Sequence, residues 1–108
     1  MPGLEMECIS MPVTLEKEKL SDGKERVGFR IGGGIDQDPK QSPAGYSQPG
    51  IYVTHVEPNS PAHNAGLRQH DRILQVNGHD FTLVTHAKAV QYIQKFHKLN
   101  MLITRNNL

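Results

Sequence analysis

The sequence is poor in cysteine and has no tryptophan: Cys8 is the one thiol among 108 residues. A single cysteine excludes a disulfide within the chain, and without an oriented base beside it Cys8 is not expected to be catalytic. The N-terminal residues also lack the apolar run of a signal peptide or a membrane span. We therefore expect an intracellular, cytoplasmic protein, with the nucleus and the periphery of the plasma membrane reached through partners.

An excess of charge of either sign is also missing. The chain has 12 Lys and Arg residues against 11 Asp and Glu residues, a net charge of +1. This balance gives no electrostatic reason to expect nucleic-acid binding or membrane insertion. Binding of lipid headgroups stays open as an alternative, although glutamates alternate with the four basic residues concerned. These are Lys17, Lys19, Lys24 and Arg26. We otherwise expect Lys17 and Lys19 to be solvated.

Residue spacings that mark common enzyme and metal sites are absent as well. The six histidines include no pair at i and i+4 on one helix, the spacing used by zinc hydrolases. The glycines at 32–34 suggest a phosphate-binding loop, but Asp36 and Asp38 after them would repel phosphate and Pro39 argues against a helix. We expect a protein that is not an enzyme and that uses no metal or cofactor.

The remaining pattern predicts one domain that is mainly β with two helices (α+β). Alternating or β-branched runs predict strands at 12–19, 29–32, 51–56, 71–78 and 99–104. The first of these has the mixed charges of an edge strand, and the third is apolar enough to be central. A short helix begins at Pro61, with Ser60 as its N-cap and Gly66 ending it. A longer helix runs from Thr85 to about Phe96.

The predicted domain covers residues 12–104, with a flexible N-terminus at 1–11 and a short tail at 105–108. Residues 36–50 contain three prolines and two glycines and predict a long loop. Tyr46 is the one large amphipathic side chain in that loop. It is expected either to rim a binding groove or to cover part of the core.

The stretch from Lys24 to Gly34 carries the strongest functional signal. Gly28 stands between two apolar residues, where it permits a turn whose backbone N–H groups converge into an anion site. Phe29 and Ile31 then alternate with Arg30, which places two apolar side chains on one face. An acidic chain end fits such a site. A turn and strand without a ligand is the alternative.

Four motifs in this order resemble a PDZ domain. They are Arg26-Val27-Gly28-Phe29, Ser60-Pro61-Ala62 with Ala65-Gly66-Leu67, the strand from Asp71 to Gly78, and a helix that opens with His86. The resemblance covers 12–104 and is closest to single-domain members of that family. It implies a partly open barrel of five or six strands. Its groove, between the strand after Gly28 and the second helix, takes a partner's C-terminal tail as an added strand, which is β-augmentation.

The resemblance also implies roles for individual residues. The N–H groups of Val27, Gly28 and Phe29 would bind the terminal carboxylate. An imidazole N–H of His86 would donate to a Ser or Thr hydroxyl two residues before the end, which defines a class I tail, Ser/Thr-x-Φ-COOH, where Φ is apolar. The alternative for His86 is a core histidine satisfied by the backbone. The implied groove residues are Arg30, Ile31, Gly32, His86, Val90 and Ile93, with Pro43 and Tyr46 as upstream contacts.

The implied function is a monomeric adaptor whose single groove competes with larger scaffolds for tails, including β-catenin-like, channel or enzyme tails. An adaptor that binds lipid headgroups or internal motifs, without carboxylate recognition, is the alternative. Two positions depart from the family pattern. His70 stands where glycine is usual, so a positive φ there would strain the backbone. His79 stands where a related sequence has tryptophan, which puts local packing in doubt.

Overall fold

The computed structural model describes residues 8–36 and 50–106. The expected contacts of Pro43 and Tyr46 therefore lie outside the described residues. The elements in chain order are β1 (Cys8–Glu16), β2 (Glu18–Lys19), β3 (Glu25–Arg26), β4 (Phe29–Gly33), β5 (Ile51–Val56), α1 (Pro61–Asn64), β6 (Arg72–Val76), β7 (His79–Asp80), α2 (His86–Lys95) and β8 (Lys98–Asn106). The predicted class, mainly β with two helices, is confirmed.

Six strands form one antiparallel sheet in the order β1-β8-β6-β5-β4, with β7 paired to β6, and β2 pairs with β3 separately. The sheet does not close, so β1 and β4 are its edges, and β5 lies inside it as predicted. The strand predicted at 12–19 is divided: β1 starts at Cys8 and ends at Glu16, and β2 follows at Glu18–Lys19. The last strand is longer than predicted, because β8 continues to Asn106. The two-residue strands β3 and β7 were not predicted, because two residues are too few to show a period.

The core lies between the sheet and the two helices. Alternation along β1 buries Val13 and Leu15 and exposes Thr14 and Glu16. Each fully buried large apolar side chain contributes about 1.5–3 kcal/mol relative to exposure. The largest of these are Phe81, Ile51, Leu67, Ile73, Leu99, Ile103, Val53 and Val76.

The predicted turns and caps are present. The hydroxyl oxygen of Ser60 accepts from the N–H of His63 at 3.1 Å and caps α1, with Pro61 in the first turn. Asn77 and Gly78 have φ of 51° and 83° and connect β6 to β7, as a primed hairpin turn requires. His70 has φ of 77°, so the departure from glycine is accommodated at a strain of roughly 1 kcal/mol.

His79 compensates for the missing tryptophan. Its ring stacks on Tyr92 of α2 with centroids 4.3 Å apart and planes 17° apart. Phe96 lies 5.9 Å from the same ring. Aromatic stacking of this kind stabilises beyond the area that it buries. These contacts pack β7 against the last part of α2.

Lys17 differs from the sequence-based expectation. It was expected to be solvated, but the residue is 8% exposed. Its Nζ donates to the carbonyl of Ile93 and, at 3.2 Å, to that of Gln94, both in the last turn of α2. A cation suits this end of a helix, where the carbonyls lack partners. The phase of β1 contained the signal, because position 17 follows the inward positions 13 and 15.

Candidate functional site

The turn before β4 is built on a close approach to α1. Gly28 has φ of 89°, and a Cβ there would lie 2.1 Å from the Cβ of Ser60 and 2.2 Å from its Oγ. Neither the conformation nor the space admits a side chain. The glycine therefore seats the turn against the N-cap of α1.

Hydrogen bonds fix the direction of the peptide groups in this turn. The carbonyl of Val27 accepts from the N–H of Ala62 at 3.1 Å, and that of Gly28 accepts from Glu57 at 2.8 Å. A trans peptide points its C=O and the following N–H in opposite directions. The N–H groups of Gly28 and Phe29 consequently point away from α1 and β5, toward the open side of the turn.

The free edge of β4 continues this arrangement. Within residues 8–36 and 50–106, β5 is the one strand that pairs with β4, and the other edge of β4 faces α2. Because Gly28 and Glu57 are hydrogen-bonded across the strands, Phe29 opposite Val56 directs its backbone groups to the unpaired edge. An edge with unpaired N–H and C=O groups is a template for a further strand.

An apolar cavity lies between this edge and α2. Its volume is about 290 Å³. Its lining comprises Val27, Phe29, Arg30, Ile31, Val90, Ile93 and Gln94. Six of these seven residues were predicted at the site. Gln94, which is exposed, was not predicted at the site, although positions 90, 93 and 94 follow the i, i+3, i+4 spacing of one helix face.

Two predicted groove residues, Gly32 and His86, do not line this cavity. A Cβ at Gly32 would lie 2.8 Å from the Cγ2 of Thr54 in β5, so Gly32 faces the neighbouring strand. The Nδ1 of His86 lies 2.9 Å from the carbonyl oxygen of Gly33 in β4. Its backbone N–H donates to Asp36 Oδ1 at 3.0 Å. These contacts join the start of α2 to the end of β4.

The contact with Gly33 determines the chemistry of the His86 ring. A carbonyl oxygen only accepts, so Nδ1 carries the hydrogen and donates it. In the neutral ring Nε2 is then an acceptor. The expectation from the sequence was an imidazole N–H for the ligand, or else a histidine satisfied by the backbone. The geometry satisfies Nδ1 by the backbone and leaves Nε2 as an acceptor.

The other end of α2 is held by charged groups. His97 Nδ1 is hydrogen-bonded to Glu25, and Nε2 lies 3.2 Å from Glu16 Oε2. The hydrogen bond to Glu25 is the main cause that raises the pKa of His97, followed by that to Glu16. Burial lowers the pKa of Lys17, and the charge of Glu25 opposes that shift.

Two of the four basic residues considered for lipid binding are engaged within the protein. Lys17 is buried against α2. Arg26 pairs with Glu57 at 3.2 Å and with Glu18 at 3.4 Å. The remaining cations, Lys19 and Lys24, do not make the clustered basic face that headgroup binding needs.

Other classes of site find no support in the described ranges. Within residues 8–36 and 50–106, no three His, Cys, Asp or Glu side chains are grouped so as to hold a metal ion. No helix of these ranges has the length and apolarity to cross a membrane.

Comparison with known proteins agrees with the geometry. The family model for the PDZ domain matches residues 14–104. Tax1-binding protein 3 homolog of Caenorhabditis elegans is 52% identical over 100% of this chain and 90% of its own length. Tax1-binding protein 3 of Homo sapiens is 46% identical over 87% of this chain and 80% of its own. The crystal structure of TIP-1 wild type superposes with a TM-score of 0.83 at 42% identity, covering 92% of this chain and 89% of that one.

Proposed function

Because this chain belongs to the PDZ family of protein-interaction modules, we propose that it captures class I C-terminal tails, Ser/Thr-x-Φ-COOH, between β4 and α2. The observation that carries the proposal is the unpaired edge of β4 beside an apolar cavity of about 290 Å³. A tail added to this edge gains main-chain hydrogen bonds, and the cavity takes its last side chain.

The turn at 27–29 receives the tail's carboxylate. The N–H groups of Gly28 and Phe29 face the open side, and a carboxylate there accepts charge-assisted hydrogen bonds from them. We assign the N–H of Val27 to the same anion site, as the family resemblance implies. Val27, Phe29 and Ile31 then lie beside the apolar terminal side chain.

His86 supplies the preference for Ser or Thr two residues before the end. Since its Nδ1 donates to Gly33, the neutral ring offers Nε2 as an acceptor for the hydroxyl hydrogen. The direction of this hydrogen bond is opposite to that expected from the sequence. The preference for a hydroxyl remains, because an apolar side chain would leave Nε2 without a donor.

The first experiment is calorimetric titration with one peptide ending Thr-x-Val, carrying either a free carboxylate or an amide. We expect a dissociation constant in the micromolar range, which corresponds to a binding free energy of about −8 kcal/mol. The affinity is modest because few residues of the tail are buried and the tail must be ordered on binding. Amidation should abolish binding, because it removes the negative charge of the carboxylate to which the N–H groups of the turn donate. Equal binding of both peptides would overturn carboxylate capture in favour of internal-motif recognition.

His86→Ala tests the assigned acceptor. Binding of a Thr-x-Val peptide should weaken by on the order of 1 kcal/mol, about fivefold. A peptide with Ala in place of Thr should lose much less. Equal losses for the two peptides would contradict the role given to Nε2.

We further propose that the protein regulates scaffolds by competition. In the described part of the chain one groove of this kind is present, so a molecule holds one tail at a time. A tail in this groove is withheld from other PDZ domains. The protein should displace a labelled tail from a multi-domain scaffold in a dose-dependent manner and should sediment as a monomer. A stable dimer at micromolar concentration would permit bridging and argue against competition.

A further inference from the structure

A second, polar recess lies on the other side of the β4 edge. It has a volume of about 100 Å³ and is lined by Gly28, Phe29, Arg30, His55 and Glu57. Arg30 of β4 stands directly opposite His55 of β5 in the sheet register. Directly opposed residues place their side chains close together on one face. Arg30 lines the apolar cavity as well, so this residue borders both recesses along the free edge of β4.

The positive charge at this place is not neutralised within the described residues. Arg30 and His55 are both exposed. Among the described ranges, neither side chain has an ion pair or a side-chain hydrogen bond. The acid that lines the recess, Glu57, is paired with Arg26 at 3.2 Å. The recess therefore presents a cation beside the groove, with a histidine next to it.

The geometry of an added strand determines which ligand residue meets this cation. Successive side chains of a strand point to opposite faces. If the last side chain enters the apolar cavity, the third from last faces the same way, toward His86. The second from last then faces the opposite side, next to Arg30, which lies between Phe29 and Ile31 in β4.

We propose that Arg30, supported by His55, selects Asp or Glu as the second-last residue of the tail. The inference rests on the proposed function, since it assigns the residue x of Ser/Thr-x-Φ-COOH. A carboxylate at x pairs with the guanidinium group, whereas a lysine at x is repelled. Because the pair is exposed to solvent, the preference is modest: about threefold for Glu over Gln and about fivefold for Glu over Lys.

The test uses three peptides that differ only at x and end in Thr-Glu-Val, Thr-Gln-Val and Thr-Lys-Val. The wild type should bind them in that order. The preference should shrink when the salt concentration is raised from about 0.05 M to about 0.5 M, because exposed charges are screened. Arg30→Gln should abolish the ranking, and Arg30→Glu should reverse it in favour of the Lys peptide.

Arg68→Gln is the matched control, since it removes the same charge from an exposed arginine that lines neither recess. It should keep the wild-type ranking. Reversal of the ranking by Arg30→Glu cannot come from a general structural loss, because such a loss weakens all three peptides together. Equal affinities of the wild type for the three peptides would overturn the inference and leave tail capture intact. Failure of the wild type to bind any of them would instead overturn the proposed function.

Discussion

The two ends of α2 flank the same groove but are held by different contacts. At the start of the helix, the ring of His86 bonds to a neutral backbone carbonyl, that of Gly33 in β4. At its end, Lys17 binds the carbonyls of the last turn and His97 bonds to two carboxylates, those of Glu16 and Glu25. The first end is joined to the groove strand itself. The second is joined to the strands behind it.

The groups behind the groove and those that face it also differ in how far their hydrogen bonds are satisfied within the described residues. Ser60 is the N-cap of α1 and lies behind the turn at Gly28. Its hydroxyl donates to the carbonyl of Glu57 at 2.7 Å and accepts from the N–H of His63, so the hydroxyl is satisfied. Both ring nitrogens of His97 are engaged as well. The groove side instead holds groups directed to an open edge and one ring nitrogen of His86 that accepts. Backbone groups along an unpaired strand edge are a template for a further strand.

The largest effect that we predict is the loss of the turn on which the carboxylate end is built. Gly28→Ala combines a positive φ with a Cβ 2.1 Å from that of Ser60. We expect a loss of about 3 kcal/mol in the free energy of unfolding, from backbone strain and overpacking together. Urea denaturation measures it.

Gly23→Ala is the control for this substitution. Gly23 has a φ of 86°, nearly that of Gly28, but no atom lies within 4 Å of the position that an added methyl group would take. Its loss should be confined to strain, about 1 kcal/mol. Similar losses for the two variants would show that contact with Ser60 is not what requires Gly28.

The features that were predictable from the sequence are those that depend on local pattern or on a family motif. Periodicity and capping residues predicted β4, β5 and both helices, because these depend on local pattern. The turn at Gly28 and the start of α2 were placed by motif. Val90 and Ile93 were placed in the groove by the family resemblance, and both line the cavity.

The features that were missed depend on contacts between distant residues. Lys17 is buried because α2, more than seventy positions later, supplies carbonyls to its ammonium group. The contact between His86 Nδ1 and the carbonyl oxygen of Gly33 joins two residues that are 53 positions apart, and local pattern could not show it. The pairing of Arg30 with His55 depends on sheet register and on a bulge between Arg30 and Ile31, which no local pattern encodes.

A smaller effect is expected where the end of α2 is held by Lys17. Lys17→Met keeps the aliphatic stem but removes the ammonium group from the carbonyls of Ile93 and Gln94. We expect a loss of about 2 kcal/mol in stability, in the range of hydrogen bonds that involve a charge. Because Ile93 and Gln94 line the cavity, the affinity for the tail should fall too. Lys19→Met, at an exposed position of β2, should change stability by less than about 0.5 kcal/mol. If Lys17→Met were equally mild, the ammonium group would not hold the helix end.

The smallest effect is the pH dependence located at His97. Its folded pKa is raised, chiefly by Glu25 and then by Glu16. The groups facing it include these two acids, Lys17 near Glu25, and Lys98, which is opposite Glu16 in the register. A raised histidine pKa means that the protonated ring favours the folded state. This stabilisation is fully present below the unfolded pKa of about 6.5 and is lost as the pH rises through the folded value.

His97→Gln removes that dependence and so isolates the charged end of α2. The difference in melting temperature between wild type and variant should be largest near pH 6 and should shrink toward about pH 9. Glu25→Gln should remove more of the pH dependence than Glu16→Gln, because the bond to Glu25 is the larger cause of the shift. Thermal unfolding across this pH range measures all four proteins. A difference between wild type and His97→Gln that stays constant with pH would mean that the ring acts by packing rather than by charge.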